Sequence, residues 1–160
     1  ASAIAQSGDA DWQPIDSMSL PAERPAASSE SLAKGTVLGS IAAGFHADLA
    51  GEYLAEVREA LPLYAEERVA HPGWLLRFAN RILVQNVKLG PWIHVGSDVR
   101  FLDVVRDGEQ VECLARVTDE YEKSGHKFVV LDVALTANGR PVQRILHTSI
   151  YEPRRGPKST

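Results

Sequence analysis

The chain contains one cysteine, Cys113, in 160 residues. That excludes an intramolecular disulfide framework and a cysteine-built zinc site, and it suits a cytoplasmic protein. No apolar run approaches the ~18–20 residues needed to span a bilayer, so no membrane association is expected. The first basic residue is Arg24, and the opening stretch does not read as a secretory leader. Like charges are never clustered: 17 Lys+Arg against 21 Asp+Glu give a net charge of −4 without a long block of either sign. A nucleic-acid partner is therefore not expected. The five histidines show no HxxxH, HxH or HExxH spacing, so no metal site is expected either. What is left is an ordinary globular composition, 44% hydrophobic and 24% charged, in a length that suits one well-cored domain.

Three segments are expected: an extended or flexible N-terminal arm over residues 1–37, a folded domain over 38–153, and a tail over 154–160. The arm is rich in Ala, Ser, Pro and Asp and offers few apolar anchors, chiefly Trp12, Ile15, Met18 and Leu20. Its removal, to about residue 34, is expected to leave the body folded. From Leu38 to Phe45 a short strand is expected, with small residues allowing close packing. Leu49, Ala50, Tyr53, Leu54, Val57 and Leu61 then recur at helical spacing until Pro62. His71-Pro72-Gly73 announces a second helix, because proline suits the first helical turn. Trp74, Leu75, Phe78, Ala79, Ile82, Leu83 and Val87 make its apolar arc so wide that the helix is expected to lie against a sheet.

Strands are expected over 92–105, 111–121, 127–136 and 140–151, with Asp107-Gly108, Lys123-Ser124-Gly125 and Asn138-Gly139 as turns. With no crossover helix between them, these strands do not make a parallel doubly wound sheet. The fold class is α+β, one antiparallel sheet wrapped around one long central helix.

That order, together with Pro62-Leu63, Val69-Ala70-His71-Pro72-Gly73, Val99-Arg100-Phe101-Leu102-Asp103 and Asp107-Gly108-Glu109, resembles the MaoC-like acyl-thioester hydratases and dehydratases of the hot-dog fold. The resemblance runs from Tyr53 to Tyr151. It implies a CoA or carrier-protein acyl thioester as substrate or ligand, and no resident cofactor. In active members a Gly-Asp-x-Asn-Pro-x-His signature follows the first helix, and its Asp and His activate water. The matching stretch here is Arg58-Glu59-Ala60-Leu61-Pro62-Leu63-Tyr64. Glu59 stands for the Asp, Leu61 for the Asn and Tyr64 for the His. A phenol titrating near ~10 cannot easily replace imidazole as a base near neutrality. His71, seven residues beyond Tyr64, is the candidate relocated base. By the same resemblance, the N–H groups of Gly73 and Trp74 are the candidates for holding a thioester carbonyl at the helix mouth.

Other residues divide between function and packing. His94 is a candidate substrate-binding residue, or else a satisfied core histidine. His46 reads as a helix cap and His126 as solvated. A two-residue turn at Asn138-Gly139 would set Val130 opposite His147, making Asp132 and His147 diagonal neighbours on one face. Cys113 reads as a buried small hydrophobe, and Gly96-Ser97 lacks a nucleophile-elbow context. Three functions are open: a hydratase or dehydratase with altered catalytic groups, a noncatalytic thioester-binding subunit, and a thioesterase using Glu59. A homodimer or larger homo-oligomer is expected, because Trp92, Val99 and Phe101 lie on the strand after the central helix.

Overall fold

The computed structural model describes residues 12–154; residues 1–11 of the expected arm and 155–160 of the expected tail lie outside the described residues. Five strands, β1 (Ile41–Gly44), β2 (Ile93–Phe101), β3 (Gln110–Lys123), β4 (His126–Ala137) and β5 (Arg140–Glu152), form one sheet in the order β1-β3-β4-β5-β2. Every neighbouring pair is antiparallel. Two tight turns drive the central meander. Ser124 and Gly125 take φ of 53° and 79°, Asn138 and Gly139 take 47° and 81°, the left-handed pairs that match strand twist in a two-residue hairpin. β2 enters last, along the free side of β5, which leaves it an edge strand.

The long helix, Pro72–Asn86, lies across the inner face of the sheet. Leu75, Phe78, Ala79, Ile82 and Leu83 are buried against Val111, Cys113, Leu131, Leu135 and Ile145. Full burial of each large apolar side chain contributes ~1.5–3 kcal/mol. Cys113 is sealed in this core, where burial drives its thiol pKa far up, as its reading as a packing residue requires. Asn86 is buried at the helix end, accepting from Gly39 N–H (2.7 Å) and donating to the carbonyls of Gly39 (2.9 Å) and Ile82 (2.8 Å). It thereby fastens the helix to the lead-in of β1.

Three expectations give way. The first helix is short: a 3-10 turn at Ala47–Leu49 leads into α1 (Ala50–Glu56), with no buried residue in either. Leu49, Val57 and Leu61 are exposed, so the apolar spacing there marks a thin cover rather than a core face. Pro62 begins a second short helix, α2 (Leu63–Glu66), which makes Pro72–Asn86 α3.

The arm, where described, is structural. Leu32 is fully buried in the main core, and Ile15 packs with Leu114 and Ala134 on the outer sheet face. Gly35 N–H bonds Val117 O, Leu38 N–H bonds Ala115 O, and Ala27 N–H bonds Lys88 O. Gly39 has no room for a side chain, since a Cβ would lie 2.6–2.8 Å from the Ser19–Leu20 backbone. The small residues thus let the arm cross at close range, as expected. Composition alone hid Leu32 as an anchor.

The β4–β5 register is displaced by one residue. A bulge between Leu135 and Thr136 pairs Leu131 with His147 and Asp132 with Leu146. Side chains alternate faces, so this slip separates Asp132 from His147. Asp132 instead meets Arg144 at 2.6 Å and Arg116 at 3.4 Å on the outer face.

Candidate functional site

α3 begins where it does because His71 has extended geometry and caps it: Gly73 N–H donates to His71 Nδ1 at 2.9 Å, and Pro72 fills the first turn. Trp74 N–H donates to His71 O, also at 2.9 Å. Both amides expected to hold a carbonyl are therefore bonded to His71. Because Nδ1 accepts, the proton of the neutral ring sits on Nε2. That nitrogen faces Glu59 Oε2 at 3.4 Å. Glu59 is fixed in turn, its Oε1 accepting from Leu61 N–H at 2.8 Å.

The three residues expected to be catalytic thus meet. The Tyr64 ring stands 4.7 Å from the His71 imidazole, centroid to centroid, and tilted by 53°. It walls the imidazole rather than occupying a base position. Tyr53, on α1, lies on another side at 5.6 Å, and burial pushes its phenol pKa up. A Cβ on Gly73 would meet the Tyr53 hydroxyl, so any larger residue there would have to displace the Tyr53 side chain. Beside this group is a cavity of about 210 Å³ lined by Phe45, His46, Tyr53 and Trp74 among others. Phe45 packs edge-on to Trp74 at 5.3 Å, giving that cavity an aromatic wall.

Arg58, at the position of the signature's glycine, takes φ of 55°. Its backbone lies in the left-handed region that favours glycine, although the residue is arginine. Leu61, at the Asn position, points to solvent.

The loop between β2 and β3 explains the other matching pieces. Arg140 Nε donates to Asp103 Oδ2 (2.7 Å), and its Nη1 and Nη2 donate to Glu109 Oε1 and Oε2 (3.0 and 3.2 Å). The guanidinium holds both carboxyl pKa values below the usual range, and they raise its own. Asp107 Oδ1 accepts from Ala47 N–H at 2.9 Å, so the 3-10 turn is capped by Asp107 and not by the His46 side chain. Gly108, at φ 81°, donates its N–H to Phe45 O. This loop supports the His71 segment directly, through Ala70 N–H to Val105 O at 2.8 Å. Sequence reading missed Arg140, whose one signal was its place after the Asn-Gly turn, and Tyr53, read as a helix-face residue.

His94 is elsewhere. It pairs with Ser149 near the start of β2, roughly 20–25 Å along the strand from the loop that supports His71. Its ring stacks on His147 at 4.6 Å. Ser97 Oγ lies 3.0 Å from His94 Nε2 and 3.0 Å from His147 Nδ1, while Ser149 Oγ lies 3.2 Å from His147 Nε2. Burial, then the neighbouring His94 charge, push His147 down to about 4. Within one chain His94 does not reach the Glu59–His71 pair. His126 is half-buried and accepts from Arg154 N–H at 3.0 Å, so it is not simply solvated. Among the described residues no group of three or more His, Cys, Asp or Glu is placed to hold a metal, and no helix is long and apolar enough to cross a membrane.

No family model matches the chain, and no curated protein does. Solved structures do. An (R)-hydratase from A. caviae involved in PHA biosynthesis aligns with TM-score 0.63 at 17% identity, over 73% of this chain and 95% of that one. A MaoC-like dehydratase from Rhodospirillum rubrum gives 0.64 at 17%, over 79% and 97%. The HadBC (3R-hydroxyacyl-ACP dehydratase) complex from Mycobacterium tuberculosis gives 0.62 at 16%, over 73% and 95%. At these identities the likeness is one of architecture. The chain has the α+β hot-dog fold, in the form shared by these hydratases and dehydratases.

Proposed function

We propose that the chain recognises acyl thioesters at the mouth of α3, and that Glu59 and His71 do the acid–base work there. The observation that carries this reading is the 3.4 Å approach of Glu59 Oε2 to His71 Nε2 beside the helix N-terminus and the aromatic cavity. In hydration of an enoyl thioester, water held between the two would give a proton to the pair as its oxygen bonds to Cβ. The π electrons move to Cα and the carbonyl oxygen, and the pair returns a proton to Cα. Amides at a helix N-terminus favour the transient oxyanion. His71 must turn for Gly73 N–H to reach that oxygen, since its Nδ1 holds the amide in the free protein.

That same bond favours a second reading, a thioester-binding subunit without turnover. Here His71 remains a cap and Tyr64 a wall. The two are separated by measuring enoyl-CoA hydration and CoA-thioester binding by the unmodified chain, His71→Ala and Glu59→Gln. Acid–base help is worth ~10²–10⁴-fold, and a loss of that size in both variants supports the first reading. Binding without turnover supports the second. Neither, across short, long and ring-bearing acyl groups, ends the thioester assignment. Release of free CoA in place of hydration would identify hydrolysis, with Glu59 activating the water.

A homodimer or larger homo-oligomer, in the cytoplasm, belongs to this reading. Among the described residues β2 is an edge strand, with Ile93, Val95 and Phe101 exposed, a surface that a second copy would cover. Sedimentation at micromolar concentration checks it; a species of 17.4 kDa alone would refute it.

A further inference from the structure

A second concavity, of about 380 Å³, opens on the outer flank of α3 between Trp74, Arg77, Phe78, Asn80 and Arg81. Its composition is unusual for a solvated helix face. Trp74 and Phe78 form a T-shaped floor at 5.2 Å, and the Arg81 guanidinium lies 5.1 Å above the Phe78 ring. The Arg77 guanidinium lies 5.1 Å over Tyr53 and makes a long 3.4 Å approach to the Glu56 carboxylate. Exposed ion pairs of this kind are weak and readily exchanged. Asn80 Oδ1 is buried there without a hydrogen-bond partner.

Trp74 lines both this concavity and the cavity beside His71, and Tyr53 lines that cavity while carrying Arg77 on its ring. Arg77 and Arg81 are one helical turn apart on one face, so both forks can close on one anion. From Gly73 to Arg81 the helix advances ~12 Å, which sets an anion there at arm's length from the helix mouth.

We infer that Arg77 and Arg81 bind a phosphate of the thioester's carrier group, with Trp74 and Phe78 supporting the arm that runs from it to His71. This deepens the acyl-thioester reading and rests on it. The phosphate chemistry is shared by CoA and by a carrier protein's phosphopantetheine. An aromatic ring under each guanidinium, Phe78 under Arg81 and Tyr53 under Arg77, fits a phosphate flanked by an apolar or ring-bearing portion better than a free inorganic ion.

The test is calorimetric binding of free CoA, which has no acyl group, to the full chain, to R77Q/R81Q and to R77K/R81K. An N-acetylcysteamine acyl thioester, which has no phosphate, is titrated in parallel. Each charged hydrogen bond lost is worth about ten- to a hundredfold. CoA affinity should fall at least tenfold in R77Q/R81Q and recover in part in R77K/R81K. It should weaken with added salt in the unmodified chain, while N-acetylcysteamine thioester affinity stays unchanged. CoA affinity equal in R77Q/R81Q and the unmodified chain would overturn the inference, as would no CoA binding at all. Failure of the N-acetylcysteamine thioester to bind, with CoA binding still sensitive to the arginines, would count against the acyl site and leave the phosphate clamp standing. ADP matching CoA would place the nucleotide end in the groove; phosphopantetheine matching CoA would assign it to the arm common to both carriers.

Discussion

Leu32→Ala tests whether the N-terminal arm is part of the fold. Leu32 has 0% exposure and sits in the main core with Leu38, Val87, Val117 and Tyr151. Its segment is tied to the body by Gly35 N–H to Val117 O at 2.8 Å and Ala27 N–H to Lys88 O at 3.0 Å. These bonds hold the backbone in place, so a shortened side chain leaves a cavity rather than a relaxed loop. Such truncations cost ~2–5 kcal/mol, a large share of the ~5–15 kcal/mol that holds a typical domain folded. With a urea slope of ~2 kcal/mol/M the midpoint should fall by roughly 1–2.5 M. Leu20→Ala, at a position 40% exposed, serves as control and should change stability by under ~0.5 kcal/mol. Urea unfolding followed by tryptophan fluorescence reads both. A Leu32→Ala midpoint indistinguishable from the control would refute the claim. By the same reasoning, deleting residues 1–34 should leave a chain that melts far lower, against the expectation from composition.

Three further outcomes are expected. His147 is pushed down to about 4, so below its ordinary value of ~6.5 the unfolded chain takes a proton that the folded one refuses. Stability should fall by ~2 kcal/mol from pH 7.5 to 5 on this account, and His147→Gln should flatten that interval in urea titrations. Arg58→Gly, relieving a φ of 55°, should leave thermal stability unchanged or raise it by up to ~1 kcal/mol; a clear loss would contradict the strain. Arg140→Gln frees Asp103 and Glu109, and should lower stability by ~1 kcal/mol and weaken thioester affinity severalfold by loosening the loop behind His71. Unchanged affinity would remove Arg140 as a positioning residue.

Much of the body is legible locally. α3 is announced by His71-Pro72-Gly73 and its wide apolar arc, and the last hairpin by Asn138-Gly139, because cap chemistry and turn chemistry are short-range. The β4–β5 register was not read, although Pro141, which has no N–H to give the ladder, sits at the bulge where Leu135 pairs with Gln143 and Thr136 with Pro141. Leu32 resembles any leucine in a polar arm until the sheet it enters is built. The site was legible as residues but not as a pair. Glu59 and His71 each stand out, yet their approach depends on α2 and on the Val69–Arg106 bridge between them and the β2–β3 loop. The separation of His94 from α3's mouth within one chain was not legible, because strand alternation says which face a side chain takes and nothing about its distance along the strand.

The most direct test of the central claim is a crystal structure of the chain with a nonreactive acyl-CoA analogue. The thioester carbonyl is expected within hydrogen-bond reach of Gly73 or Trp74 N–H, with the His71 ring turned from its capping position and Cβ of the acyl group facing Glu59 and His71. A thioester bound beside His94 and His147, or His71 still capping α3 with the acyl group elsewhere, would contradict it.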